Sequence, residues 1–372
     1  MEIGVRFMRR QDLPVICRYM RDERVLRGTL QLPSLQAAWL ARWLEDTRQA
    51  FGLVAEVGEG CHAGRVVGLV RMGRLPGRQQ HVAGLFIAVD PEFHGRGIGT
   101  RLLGEALSLA EEYWHIVRVE LGVYADNEPA LRLYRRFGFQ VEGRRVAGAI
   151  RDGQYADELI MARLRPPADG VPLPQPRSSI PAAQKESDGS GFPGGLGVRP
   201  PAPGDAPALT LLYADPALVR NSLLVPFELP GEEQLARELE SASPDRGHVF
   251  VATLGGRVCG EVRLECGRGR MAHRGTVTLL VPPDDARLAA EISGYRASAV
   301  ARALLTAVLH LADRWLLLHR LQLETYADEY WLFGVLDGCG FRPEVVRRMA
   351  ALRDGVYADR LCWARLRRRV TW

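Results

Sequence analysis

Val89-Asp90-Pro91-Glu92-Phe93-His94-Gly95-Arg96-Gly97-Ile98-Gly99-Thr100 is the stretch whose reading decides the fold. Ahead of it, Leu85 to Val89 is a short apolar run, suited to a strand buried on both faces. Behind it, Ile98, Leu102, Ala106, Ala110 and Tyr113 fall on one face of a helix. A strand therefore ends in a glycine-rich turn that opens a long amphipathic helix. Free backbone N–H groups at such a helix start point outward and carry about half a positive charge. Glycine at 95, 97 and 99 removes side chains that would hold a pyrophosphate away from them, and Arg96 and Arg101 add charge. From the residues alone, phosphate binding and tight strand–helix packing both remain open.

Working outward, Phe51 to Val57 and Arg65 to Arg71 read as strands joined by a glycine-rich turn. Arg118 to Tyr124 alternates like a strand. Asp126 or Asn127 then caps a helix with Pro129 in its first turn and Gly138 as its stop. Asp152-Gly153 signals a hairpin turn that closes the sheet. The expected class is mixed α/β.

The pattern occurs twice. Asp152-Gly153-Gln154-Tyr155-Ala156-Asp157 returns as Asp354-Gly355-Val356-Tyr357-Ala358-Asp359, an offset of 202 (152 to 354). The same offset links Tyr124-Ala125-Asp126 to Tyr326-Ala327-Asp328 and Gly138-Phe139 to Gly340-Phe341. Upstream the offset is 192, pairing His81 with His273 and Pro91 with Pro283, so the second copy carries ten extra residues after Pro283. Proline, glycine, serine and charge dominate the stretch between the copies, which reads as a linker. The expected layout is domain one at 1–166, linker at 167–197 and domain two at 198–372. Each domain is expected to hold a central mixed, mostly antiparallel sheet flanked by helices.

Composition sets limits. The chain has 372 residues, 47% apolar and 25% charged, as an ordinary soluble globular protein does. Met1 to Asp12 has no apolar core of a secretory leader. The greasiest stretch, Leu304 to Leu318, is broken by His310, Asp313 and Arg314 and reads as a buried helix rather than a membrane span. The six cysteines are scattered, without a C-x-x-C pair or a cysteine–histidine cluster. No metal site is expected, and a reducing cytoplasm fits. A net charge of +5, nearly all arginine because Lys185 is the only lysine, gives little support to a nucleic-acid partner.

Leu85 to Leu103, then Asp126-Asn127 through Tyr134 to Gly138-Phe139, resembles the GNAT acetyltransferase superfamily. Its phosphate signature Q/R-x-x-G-x-G/A stands here as His94-Gly95-Arg96-Gly97-Ile98-Gly99, with histidine at the first position. Gly28-Thr29-Leu30-Gln31-Leu32-Pro33, His81-Val82-Ala83 and the Asp152-Gly153 hairpin resemble a bacterial branch that acetylates free amino acids. The resemblance implies acetyl-CoA as co-substrate and a small primary amine as acceptor. It implies that Ile87, Ala88 and Val89 pair with the pantetheine arm. Gly95, Arg96, Gly97, Ile98, Gly99 and Thr100 would cradle the pyrophosphate, Asn127 would hold the cofactor near its thioester, and Tyr134 would protonate the departing thiolate. Thr29, Gln31 and His81 would face the acceptor. Some members place a basic glutamate twelve residues before the tyrosine; that position is Gly122 here. Glu120, on the same strand face, is the first candidate for the base and His81 the second.

The second copy replaces the glycine turn with Arg296-Ala297-Ser298-Ala299-Val300-Ala301, Asn127 with Glu329 and Tyr134 with Leu336. It reads as catalytically silent. Acetylation of a protein N-terminus or an antibiotic, and acyl-CoA sensing without turnover, are the competing readings. A linker of about thirty residues spans roughly 30 Å, enough for the halves to dock as an intramolecular pseudo-dimer.

Overall fold

The alternation of Ile3–Phe7 (β1) sets it antiparallel to Ala50–Val57 (β2), which continues into Val66–Arg74 (β3) and Val82–Val89 (β4) by antiparallel pairing. The computed structural model describes residues 2–29, 38, 41–43, 49–165, 195–223, 229–240 and 247–367. Two compact units emerge, Met1–Gln175 and Pro176–Trp372.

In the first unit, Leu13–Met20 (α1) and Glu23–Arg27 (α2) lie between β1 and β2 in sequence. Asp22 caps α2 by accepting from the Arg24 backbone N–H. After β4 come Ile98–Glu112 (α3), Arg118–Tyr124 (β5), Glu128–Arg136 (α4), Gln140–Arg151 (β6) and Gln154–Leu164 (β7). β5 and β6 both pair antiparallel with β7, giving the order β1-β2-β3-β4-β5-β7-β6. One junction differs. β4 and β5 run parallel and pair only from Val82 to Gly84 against Arg118 to Glu120.

Periodicity decides which helix covers which face. Leu102, Leu103, Ala106, Leu107 and Ala110 of α3 bury against Val119, Leu121 and Val123 of β5, with Leu131 and Tyr134 of α4. Burying each such leucine contributes about 1.5–3 kcal/mol. The opposite face packs Ile16, Met20 and Val25 against Val54, Leu69 and Ala88. At the foot of β5 the fully buried Arg118 meets Glu142 of β6 through two bonds, at 2.9 and 2.6 Å, and Glu120 at 2.9 Å. A buried guanidinium needs such partners, since removing one costs about 3–5 kcal/mol.

The second unit repeats this plan. Leu196–Arg199 (β8), Ala206–Tyr213 (α5), Pro216–Arg220 (α6), Glu232–Glu240 (α7), His248–Leu254 (β9), Arg257–Cys266 (β10) and Arg274–Leu280 (β11) come first. Arg287–Ala290 (α8), Ala297–Arg314 (α9), Arg320–Tyr326 (β12), Tyr330–Gly338 (α10), Arg342–Arg353 (β13) and Val356–Leu366 (β14) follow. Its sheet runs β8-β9-β10-β11-β12-β14-β13, and again a parallel pair, β11 with β12, joins over only three residues. Arg320 repeats Arg118 by binding Glu344 at 3.1 and 2.6 Å.

The expected class, mixed α/β with mostly antiparallel sheets, stands. Asp152 and Gly153 both take positive φ, +52° and +74°, as a tight hairpin requires, and Asp354 and Gly355 do the same. One boundary moves. The linker expected over 167–197 lies outside the described residues as far as 194, but its last residues do not belong to it. Leu196 already begins β8, because Leu196 and Val198 alternate and pair with β9. The ten extra residues of the second copy form α8 and its flanks, with Ala286, Ala289 and Ile292 buried.

Candidate functional site

Beyond Gly84 the two parallel strands separate. Leu85 to Val89 pair on one side with β3, and Leu121 to Tyr124 pair on the far side with β7. The facing edges of β4 and β5 there pair with no described strand of this unit. A cleft of about 990 Å³ opens there. An extended chain with amides of its own is the natural occupant of such an edge.

One end of the cleft is the glycine turn. Pro91–Phe93 forms a single 3₁₀ turn, and His94 Nε2 reaches back to the Val89 carbonyl at 3.0 Å. The histidine in place of glutamine or arginine thus closes the turn onto the strand end. Gly95 and Gly97 adopt φ of +74° and +77°, with nothing within 4 Å of where a Cβ would project. α3 starts at Ile98 with no side chain capping it. Its first amides are left for an anion, and Gly95, Gly97, Ile98, Gly99 and Thr100 all line the cleft. Arg96 departs from expectation. It is not on the cleft wall, and its guanidinium stacks on the Phe93 ring, 5.0 Å from the centroid.

Ile87, Ala88 and Val89 line the cleft from β4. Asn127 lines it from the start of α4, where its Oδ1 accepts from the Ala130 N–H at 3.3 Å. Its amide nitrogen rests against Gly28, where a Cβ would stand 3.4 Å away. Tyr134 is both a core residue and a wall residue. It is 7% exposed and packs near Phe139 at 5.8 Å, yet it is among the residues that line the cleft. Burial pushes its phenol up to about 12, which keeps the proton in place at neutral pH.

Thr29 is on the wall, and its carbonyl accepts from Tyr124 Oη at 3.4 Å. Gln31 lies outside the described residues. The two expected bases are elsewhere. Glu120 is held by the buried Arg118 and does not border the cleft. His81 precedes β4 at the closed end, where its carbonyl accepts from the Val117 and Arg118 amides at 3.0 and 3.1 Å. His273 does the same for His319 and Arg320, at 2.8 and 3.1 Å. The position belongs to the strand junction. Sequence spacing also misses Glu158, whose carboxylate fills the space a side chain at Gly122 would take.

The second unit blocks the same features. The first amide of α9, at Ala297, donates to Asp284 at 2.6 Å, so a carboxylate of the chain takes the anion position. Leu336 is fully buried at the Tyr134 position. Glu329, at the Asn127 position, accepts from the Tyr326 N–H at 2.6 Å. Among the described residues no cluster of three or more His, Cys, Asp or Glu forms a metal site. No helix among them is long and apolar enough to cross a membrane.

Residues 18–139 match the Acetyltransferase (GNAT) family. The chain is 32% identical over 166 residues to the L-amino acid N-acetyltransferase AaaT of Escherichia coli, covering 44% of this chain and 99% of the relative. It is 46% identical over 78 residues to the N-alpha-acetyltransferase RimI of Mycobacterium tuberculosis, covering 21% of this chain and 46% of the relative. Among solved structures, the ribosomal-protein-alanine N-acetyltransferase from Brucella melitensis aligns at 26% identity and a TM-score of 0.40, over 44% of this chain and 99% of that one.

One prediction concerns the altered second site. Burial pushes the Glu329 carboxyl up from 4.5 to about 7, against the lowering effect of the Tyr326 N–H. The folded state therefore holds a proton that the unfolded state releases. That stability is complete below about 4.5 and is lost as pH rises toward 7. Melting of the full chain across this range should show the decline, and Glu329→Gln should flatten it.

Proposed function

The chain belongs to the acetyltransferase (GNAT) family and is an N-acetyltransferase, and on that premise we propose that domain one transfers acetyl from acetyl-CoA directly to the primary amine of a free amino acid. What carries this reading is the meeting, in one cleft, of an open strand edge, an uncapped helix start and a buried phenol. The three glycines of the turn, Asn127 and Tyr134 are all replaced in domain two, by Ala297, Ala299, Ala301, Glu329 and Leu336.

In this reading, the amide-bearing pantetheine arm extends along Ile87, Ala88 and Val89, completing the open edge of β4. The pyrophosphate sits on the amides from Gly95 to Thr100, with Arg96 contributing backbone only. Asn127 holds the arm near the thioester. Tyr134 gives its proton to the sulfur as the C–S bond breaks, which a phenol pushed up to about 12 does only as the thiolate develops. No covalent enzyme intermediate is needed. Cys17 is buried on the inner face of α1, and no cysteine borders the cleft.

The acceptor follows from charge. Arg24, Arg27, Arg132, Arg136 and Arg151 line the cleft, where Asp126 is the acid among the lining residues; Asp22, Asp152 and Asp126 pair with Arg24, Arg27 and Arg151. Such a wall suits the phosphates of the donor and the carboxylate of an amino acid, and it disfavours a polycation. One relative is named a spermidine N(1)-acetyltransferase, and the arginines argue against that acceptor here. Domain two is assigned no catalysis. Its duplication supplies a built-in partner for domain one, so that the pair stands in for a dimer of single domains.

Three outcomes test the reading. Gly97→Asp should abolish acetyl-CoA binding in calorimetry, because it adds a side chain at positive φ and a negative charge at the phosphates. Tyr134→Phe should lower turnover by about 10²–10⁴-fold in a thiol-release assay with L-amino acids, while acetyl-CoA affinity stays near wild type. Light scattering on the full chain should give the mass of one chain; a chain dimer would remove the need for an internal partner.

A further inference from the structure

We propose that Glu158, on β7, is the general base of the transfer, an assignment that rests on the acetyl-transfer reading above. Val119, Leu121 and Val123 of β5 belong to the core under α3 and α4. Gly122 and Tyr124 therefore face the other side, where Tyr124 Oη reaches the Thr29 carbonyl just past α2. Glu158 is the register partner of Tyr124, and paired residues share a face. Its Oε1 stands so close over Gly122 that a methyl group there would collide with it. Gly122 in turn lines the cleft. Glu158 is not itself a wall residue: its carboxylate stands directly behind Gly122 on the α2 side of the sheet, while Tyr134 belongs to α4 on the other side.

That separation suits the chemistry. An amine at neutral pH arrives as an ammonium and has no lone pair until a proton is removed. Glu158 takes that proton on the acceptor side of the sheet. The freed nitrogen forms the C–N bond to the acetyl carbon, and the C–S bond breaks. Tyr134 gives its proton to the sulfur and recovers one from the second proton the nitrogen sheds. The proton on Glu158 leaves to solvent, so ammonium and thioester become amide, thiol and one proton.

The duplicated domain argues that this carboxylate is more than a packing group. There the two positions trade residues: Gly122 becomes Glu324 and Glu158 becomes Arg360. Glu324 is clamped between two guanidinium groups, Arg347 at 2.8 Å and Arg360 at 3.1 Å. In domain one the counterpart of Arg347 is Arg145, and it meets Glu158 at 3.4 Å. The second guanidinium is gone. A carboxylate kept as an ion-pair partner is neutralised as in domain two. The one in domain one keeps an oxygen over Gly122, a residue that lines the cleft.

The experiment uses the full chain, acetyl-CoA and a panel of L-amino acids, reading thiol release and, by calorimetry, acetyl-CoA affinity. Glu158→Gln should lower kcat by about 10²–10⁴-fold with the affinity unchanged. Because this variant also disturbs Arg145, a second one moves the carboxylate. Glu158→Ala with Gly122→Glu should recover turnover well above Glu158→Ala alone, since the alanine vacates the space the new glutamate needs. A fully active Glu158→Gln overturns the assignment and leaves acetyl transfer intact. A folded, acetyl-CoA-binding double variant with no recovery also overturns it and assigns Glu158 to the ion pair with Arg145. A wild-type chain that binds acetyl-CoA yet releases no thiol with any amine overturns both readings together.

Discussion

Two parallel strands that pair for three residues and then part are the constraint on which the first domain depends. β4 is held by β3 from Ala83 to Val89, and β5 is held by β7 along its whole length. Each strand has a strong antiparallel partner on its outer side and follows that partner's twist. The inner edges then separate wherever nothing forces them together. What holds the closed end is specific. The His81 carbonyl accepts two amides from the start of β5, and Arg118, fully buried, ties β5 to Glu142 on β6. Removing those ties would let the strands part from their first residue, or slide. With them, the pairing ends at Gly84, and strand edges paired with no described strand face a space about 990 Å³ in volume.

This junction explains what local sequence could and could not express. The ends of β5 are legible because Arg118 to Tyr124 alternates cleanly between turn signals. The glycine turn is legible because only glycine accepts φ near +75° at 95 and 97 at no steric cost. The cap at Asn127 is legible from its amide and from Pro129 behind it. These signals span a few residues each. The base is not legible in that way. Glu120 and Glu158 are separated by the register of β5 against β7, and a register is a tertiary property. Counting back from Tyr134 finds Gly122 and suggests a missing carboxylate, whereas the space over Gly122 is filled from the neighbouring strand. The placement of Arg96 is likewise not legible. Its charge reads as a phosphate ligand, but the Phe93 ring three residues back offers a stacking face.

The second domain keeps the junction while carrying Ala297, Ala299, Ala301, Glu329 and Leu336 where the first has Gly95, Gly97, Gly99, Asn127 and Tyr134. His273 and Arg320 repeat the closed end, with Glu344 in the place of Glu142, although Gln322 stands where Glu120 binds Arg118. The helix start that in domain one is left bare is here occupied by Asp284. A helix terminus must satisfy its amides somehow, and a carboxylate from the chain serves as well as a phosphate. The methyl groups of Ala297 and Ala301, both buried, then fill volume that glycine leaves open. The inserted α8 adds Ala289 and Ile292 to the buried set and lays Leu288 against the core.

The exchange between positions 122 and 158 shows two ways of answering a carboxylate inside the same sheet. A carboxylate inside a sheet is costly unless cations answer it, and leaving one ion of a buried pair alone costs about 3–5 kcal/mol. Domain two answers Glu324 with Arg347 and Arg360, adding the second cation at the position that in domain one carries the carboxylate itself. Moving the acid across the strand pair and filling its old place with arginine keeps the charges balanced at every step. The same move converts an oxygen beside an open cleft into one clamped by two guanidinium groups. Stability and reactivity make opposite demands on that oxygen, and each domain meets one of them.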